Sequence, residues 1–200
     1  IRRNCLMDLK LTRRCFFGLT LAAPLAAQKN PPAQENRVSP AEHYFTDVVL
    51  VNQFGQPMRF YTDLLKDRVV VINAFFSACK DSCPMMAGTY SKLQDVLGPH
   101  LGKDAYLISI SVDSESDTPE TLKAYGERFH ARPGWFFLTG KKENVDFALN
   151  KVGLKPPRKE DHLTVFMIGN LSTGLWKKAL GLASAEEISK LVQKVLRNED

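Results

Sequence analysis

An α/β sheet with helices packed on its faces is the fold class this sequence predicts, and three observations predict it. From His43 onward, apolar runs of strand length alternate with runs of helical spacing, separated by turn residues. One run, Val69-Val70-Val71-Ile72-Asn73-Ala74-Phe75-Phe76, has the near-continuous apolar character of a central buried strand. The composition, 44% hydrophobic and 24% charged over 200 residues, is that of one soluble globular domain with a tail or two.

The elements follow in order. Phe45 to Asn52, the turn Phe54-Gly55-Gln56-Pro57 and Met58 to Tyr61 predict an N-terminal hairpin, leading to a short turn at Asp63-Leu64-Leu65. After the central strand, Met85 to Leu97 has helical spacing and stops at Gly98-Pro99. Tyr106 to Val112 alternates as a strand does. Asp117-Thr118-Pro119-Glu120 offers an N-cap and an early proline for a helix reaching Phe129, with Asp117 as the capping residue. Trp135 to Leu138 is a short buried strand, Lys142 to Val152 a helix and Leu163 to Ile168 a strand. Gly174 to Leu180 reads as an edge strand, and Ser184 to Leu196 as the terminal helix. No internal repeat or low-complexity tract interrupts this order.

The first 41 residues have a different texture. Thr12-Arg13-Arg14-Cys15-Phe16-Phe17, the apolar stretch Gly18 to Ala27 and the small-residue end Leu25-Ala26-Ala27 predict an export signal over residues 1–27, with the paired arginines of the twin-arginine kind. A membrane anchor would need about 20 apolar residues, more than this run supplies. Cys15 follows arginines rather than a small apolar lipobox, so it is not read as lipidated. Met7 offers a compact basic start as an alternative to Ile1. Residues 28–41, with three prolines among Asn, Gln, Glu and Ser, read as a flexible linker, leaving 42–200 as the folded domain.

Charge excludes one class of partner. The formal net charge is +5, but five basic residues and one acidic residue fall within 1–27, so the remainder of the chain carries only +1. No basic stripe with interleaved aromatics exists there, and nucleic-acid binding has no support.

Of four cysteines, only Cys79 and Cys83 lie outside the leader, in Phe76-Ser77-Ala78-Cys79-Lys80-Asp81-Ser82-Cys83-Pro84. They follow the central strand, and Pro84 suits the first turn of a helix, so the pair sits on a strand-to-helix turn. There the helix N-terminus favours the thiolate, which is both the nucleophile and the metal ligand. Redox exchange and soft-metal binding are both open to such a pair. A structural disulfide in so short a loop would contribute little closure entropy. In an exported protein, a working dithiol needs a reductant or a metal partner to keep it from oxidising. His43, His100 and His130 read as surface histidines. His162 differs because an acidic residue precedes it and an apolar strand follows.

A hairpin, a strand ending at a reactive-cysteine turn, then βαβ and a final strand pair is a thioredoxin-like arrangement: a central mixed sheet with flanking helices. The details depart from thioredoxins, which carry CxxC and a proline beside the facing strand, and from peroxiredoxins, whose threonine position holds Phe76 here. They resemble the Sco/SenC family instead. The carrying motifs are the run Phe76 to Pro84, Ser111-Val112-Asp113 with Asp117-Thr118-Pro119-Glu120, Leu138-Thr139-Gly140, and Asp161-His162 before an apolar strand. The likeness covers His43 to Leu196.

The resemblance implies a thioredoxin-like fold, one copper, Cu(I) or Cu(II), bound by Cys79, Cys83 and His162, and a role in assembling the copper site of cytochrome c oxidase. It implies as partners the copper-site subunit of that oxidase and a copper donor or thiol reductant, on the periplasmic or extracytoplasmic side of the membrane. The donor set agrees: thiolate selects Cu(I) and imidazole accommodates both oxidation states, though zinc would also tolerate these ligands. Such a protein is a metallochaperone rather than an enzyme that turns over. The alternative is a thiol-disulfide reductase that keeps the oxidase cysteines reduced, with Cys79 and Cys83 as its redox-active dithiol and no need of His162. A redox sensor using the same dithiol is a third class. Asp113 is a candidate to support the site from behind its ligands. Met85 and Met86 offer thioether sulfur but read first as apolar residues of a helical turn. In the family the segment before the histidine is commonly longer than Val152 to Glu160, which is short and basic here.

Overall fold

The computed structural model describes residues 39–199, so the expected export signal and most of the expected linker lie outside the described residues. The chain begins with a short helix, α1 (Pro40–Phe45), capped by Ser39, whose hydroxyl accepts from the Glu42 amide. Two expectations change here. Pro40 and Ala41 are helical rather than linker, and Phe45 ends this helix instead of opening a strand. Ser39-Pro40 is an N-cap followed by a proline at the first helical position, and that local signal prevails.

Seven strands follow: β1 (Val49–Asn52), β2 (Pro57–Arg59), β3 (Val69–Phe75), β4 (Ala105–Ser111), β5 (Trp135–Thr139), β6 (Val165–Asn170) and β7 (Leu175–Leu180). They form one mixed sheet in the order β2-β1-β5-β4-β3-β6-β7. β1 and β2 are the expected hairpin, and a π-helical turn (Phe60–Leu65) follows it. β3, β4 and β5 are parallel, while β6 runs antiparallel to β3 and β7 closes the edge. This is the thioredoxin-like arrangement.

β3 is central because all seven of its residues are buried. Val69, Val71 and Phe75 face one layer, built with α2 (Ser82–Leu97), α3 (Pro119–Arg128) and α5 (Ala185–Arg197). Val70, Ile72 and Ala74 face the other, built with α1, the π-helical turn and α4 (Lys142–Lys151). Alternate side chains of one strand therefore serve two cores, as its pleat requires. Among the described residues no helix is long and apolar enough to cross a membrane.

Two further boundaries matter for function. The cap of α3 is Thr118, whose hydroxyl accepts from the Thr121 amide, and not Asp117, which is 1% exposed and turned inward. β6 starts at Val165, two residues later than Leu163 to Ile168 predicts, and leaves His162 to Thr164 in the preceding connection.

Candidate metal centre

The site is built where β3 ends. Its last hydrogen-bonded residue, Phe75, is followed by a turn in which the Cys79 amide donates to the Phe76 carbonyl, and α2 starts at Ser82. Cys79 is therefore on the turn and partly exposed, while Cys83 lies in the first turn of α2 and is 1% exposed. The antiparallel pairing of β6 with β3 brings the start of β6 to the end of β3. The connection ahead of β6 thus delivers His162 to the cysteines across 79 residues of sequence.

The three donors converge. Cys83 Sγ and His162 Nε2 are 3.2 Å apart, and the sulfurs of Cys79 and Cys83 and a ring nitrogen of His162 all lie within 4.8 Å of one another. His162 Nδ1 is 3.0 Å from the Lys159 carbonyl oxygen, which can only accept, so Nδ1 carries the proton and Nε2 presents its lone pair to the thiols. The ring edge also packs against Phe76, with centroids 5.5 Å apart and planes at 82°. Donors about 2.0–2.3 Å from a metal stand up to roughly 4 Å apart in a trigonal site. The three present residues fit a metal ion with a contraction of less than about 1 Å.

One electrostatic expectation is corrected. Burial pushes the Cys83 thiol well above its ordinary range, and the neighbouring Cys79 and Asp117 add to the effect. Desolvation outweighs the helix N-terminus, so without a metal Cys83 is a thiol at neutral pH. Iodoacetamide is accordingly expected to alkylate Cys79 at least about tenfold faster than Cys83 at pH 7.5, because reactivity follows exposure and thiolate fraction. Peptide mass spectrometry of the reduced protein reads this directly, and equal labelling would refute it.

Other candidates sort clearly. His43, His100 and His130 are exposed, and His100 pairs with Asp104 at 3.0 Å. Met86 is a core residue, whereas Met85 is 41% exposed. Asp113 does not touch a donor atom. Its carboxylate binds Lys159 Nζ at 2.8 Å, and its amide donates to Ser111 Oγ. Trp135 is fully buried and Trp176 half-buried.

Sequence reasoning missed two residues. Asp117 accepts from the Ser77 amide at 3.1 Å, from the Ser77 hydroxyl, and from Ser111 Oγ at 2.5 Å. It ties the cysteine turn to the end of β4. The only signal in the sequence was its place in Ser111 to Glu120, where a helix cap was the simpler role. Tyr125, from α3, is 3% exposed with a hydroxyl that has no hydrogen-bond partner among the described residues, and burial first, then the neighbouring acidic groups, hold its phenol above the ordinary range.

Comparison with known proteins agrees with this geometry. The family model described as SCO1/SenC matches residues 36–174. A Stutzerimonas stutzeri protein named "Putative copper-binding protein" is 31% identical over 151 residues, covering 73% of this chain and 72% of its own. The chain spans about half the length of the SCO2-like Rickettsia proteins it also matches. Among solved structures, a SCO1/SenC family lipoprotein from Bacillus anthracis superposes with a TM-score of 0.63 at 28% identity, over 74% of this chain and 92% of that one. BsSco, described as a member of the Sco family of cytochrome c oxidase assembly proteins with a disulfide switch, superposes with a TM-score of 0.60 at 26% identity, over 74% and 90%. With the matched stretch running from ahead of α1 to the turn before β7, and the CxxxC turn and His162 inside it, the chain belongs to the SCO1/SenC family.

Proposed function

We propose that this protein is an exported copper metallochaperone, binding one copper through Cys79, Cys83 and His162 and passing it to the copper site of cytochrome c oxidase. The observation that carries this reading is the convergence of two sulfurs and an imidazole nitrogen within 4.8 Å. Two thiolates and one imidazole suit Cu(I) and tolerate Cu(II). A copper-binding name on a relative 31% identical and the oxidase-assembly description of BsSco support copper as cargo and the oxidase as client. The lipoprotein relative supports work outside the cytoplasm, and residues 1–27 would direct the export.

Transfer would proceed by ligand exchange. Cys79 and His162 border an open cleft that Phe76, Lys80, Asp81 and Thr164 also line, and Cys83 lies behind them. An incoming thiolate or imidazole from the client has access from this side, and with three ligands the copper is exchanged one donor at a time. The protein's own contribution is to hold His162 Nε2 unprotonated and aimed inward and to keep Cys83 dry.

Anaerobic Cu(I) titration of the reduced protein against a competing chelator tests the reading, with Cys79→Ser, Cys83→Ser and His162→Ala alongside. One-to-one binding that weakens by roughly 10-fold or more in every variant is the expected result. The partly exposed Cys79 beside the buried Cys83 also suits an attacking and a resolving thiol, so a reductase is the second reading. Weak copper binding indifferent to His162→Ala, with reduction of a disulfide substrate intact, would establish the reductase and overturn the chaperone.

A further inference from the structure

The loop joining β4 to α3 touches both segments that bear the three donors, yet supplies no donor itself. At one end, Asp117 holds the cysteine turn through the amide and hydroxyl of Ser77. At the other, Asp113 holds Lys159 by an ion pair of 2.8 Å, with the Asp113 side chain 12% exposed and that of Lys159 43% exposed. Lys159 in turn receives the His162 ring proton on its backbone carbonyl. Ser111 joins the two ends, donating to Asp117 and accepting from the Asp113 amide. Polar contacts therefore link His162 through Lys159, Asp113, Ser111 and Asp117 to Ser77, two residues before Cys79, passing within Lys159 and Asp113 from backbone to side chain.

We propose that the Lys159–Asp113 ion pair is a latch that sets both the tautomer and the reach of His162, making Lys159 and Asp113 positioning residues of the metal site. The reading rests on the metal site proposed above. Lys159 lies on a 3₁₀ turn (Lys159–Asp161) between the irregular Lys155 to Arg158 stretch and His162, in a connection that is also held by Lys155, paired with Asp146 on α4 at 3.3 Å, and by the local Arg158–Asp161 pair. Asp113 holds the Lys159 ammonium charged, above its ordinary range. Without the latch, the carbonyl that fixes the Nδ1 proton is free to drift, and the ring loses its preference for presenting Nε2. Outer partners of metal-bound histidines act in this way: they fix the tautomer and the orientation of the ring.

The test uses the full chain, reduced and metal-free, in Lys159→Met, Asp113→Asn and the exchanged pair Lys159→Asp with Asp113→Lys. Nitrogen NMR of the imidazoles reads the His162 tautomer, and Cu(I) competition with a chelator reads affinity. Thermal melts confirm that each variant is folded. In the native chain the Nδ1-protonated form should dominate, and each single variant should shift His162 toward the Nε2-protonated form and weaken Cu(I) binding about tenfold. The exchanged pair should recover part of both losses. Raising ionic strength with sodium sulfate should weaken the native chain and leave Asp113→Asn unchanged, because the pair is exposed to screening. An unchanged tautomer together with affinities within about twofold of native in both single variants would overturn the latch. A tautomer that responds in a chain that fails to bind copper would retain the latch and overturn the metal site instead.

Discussion

Replacing Asp117 with alanine should cost about 3 kcal/mol of stability, since each buried donor left without its acceptor costs about 1–3 kcal/mol. The carboxylate is 1% exposed and gathers three donors: the Ser77 amide, the Ser77 hydroxyl and the Ser111 hydroxyl. Truncation leaves a backbone N–H and two hydroxyls without the acceptor they share. Asp117→Asn keeps one oxygen but turns an NH2 group toward hydroxyl donors, so it should recover only part of the loss. Because Ser77 begins the cysteine turn, Cu(I) affinity should fall as well, by roughly 10-fold or more. Urea unfolding of the reduced protein measures the first effect and chelator competition the second. A stability loss below about 1 kcal/mol would mean the three donors find other acceptors and Asp117 is not the tie described here.

Alkali should unfold the reduced, metal-free protein over an unusually narrow range. Three acids are buried in the layer of α2, α3 and α5: Cys83, Tyr90 and Tyr125. Burial is the leading cause in each case, and each folded-state pKa stands above its ordinary value, 9.0 for the thiol and 10.0 for the phenols. The unfolded chain releases these protons first, so stability is fully present below about pH 8 and is lost as pH rises toward the folded values. Each group adds a slope of up to about 1.4 kcal/mol per pH unit, so the three together approach roughly 4 kcal/mol per unit above pH 10. Urea midpoints measured from pH 7 to 11 under a phosphine reductant should be level at first, bend near pH 9 and steepen past 10. Tyr90→Phe, which removes an ionisable group and the hydrogen bond to the Val71 carbonyl, should lower the plateau yet flatten the slope. A profile level to pH 11 would contradict the burial of all three.

How much of this was legible in the sequence depends on how local each signal is. The β3 run, the Gly98-Pro99 stop of α2 and the Ser184 cap of α5 are set by neighbours in sequence, and they appear where the pattern puts them. The start of β6 was misplaced because Leu163 looks like the first residue of an alternating strand. It is 43% exposed and belongs to the connection that carries His162 inward. The cysteines were legible as a pair because only three residues of chain lie between them. Asp117 and Lys159 were not, since a carboxylate four residues past Asp113 and a lysine in a basic stretch acquire meaning only when β3, β4 and β6 lie side by side. The thiolate argument failed for the same reason: a helix N-terminus is visible in sequence, but the desolvation that outweighs it at Cys83 is a property of the packed core.

The antiparallel union of β3 with β6 also sets a timetable. A growing chain that has reached only α4 has already made the cysteine turn, β4 and β5, and at that point it can offer a metal two sulfurs and nothing more. The third donor arrives with the connection to β6, and it is fixed only after that strand has bridged a long intervening segment, the slow kind of contact in folding because chain entropy is lost before the pairing repays it. Completion of the donor set and completion of the sheet are thus the same event. A truncated or unfinished chain would present two sulfurs where the finished fold presents two sulfurs and an imidazole, so that under the proposed function the full donor set exists only in a molecule that has finished folding.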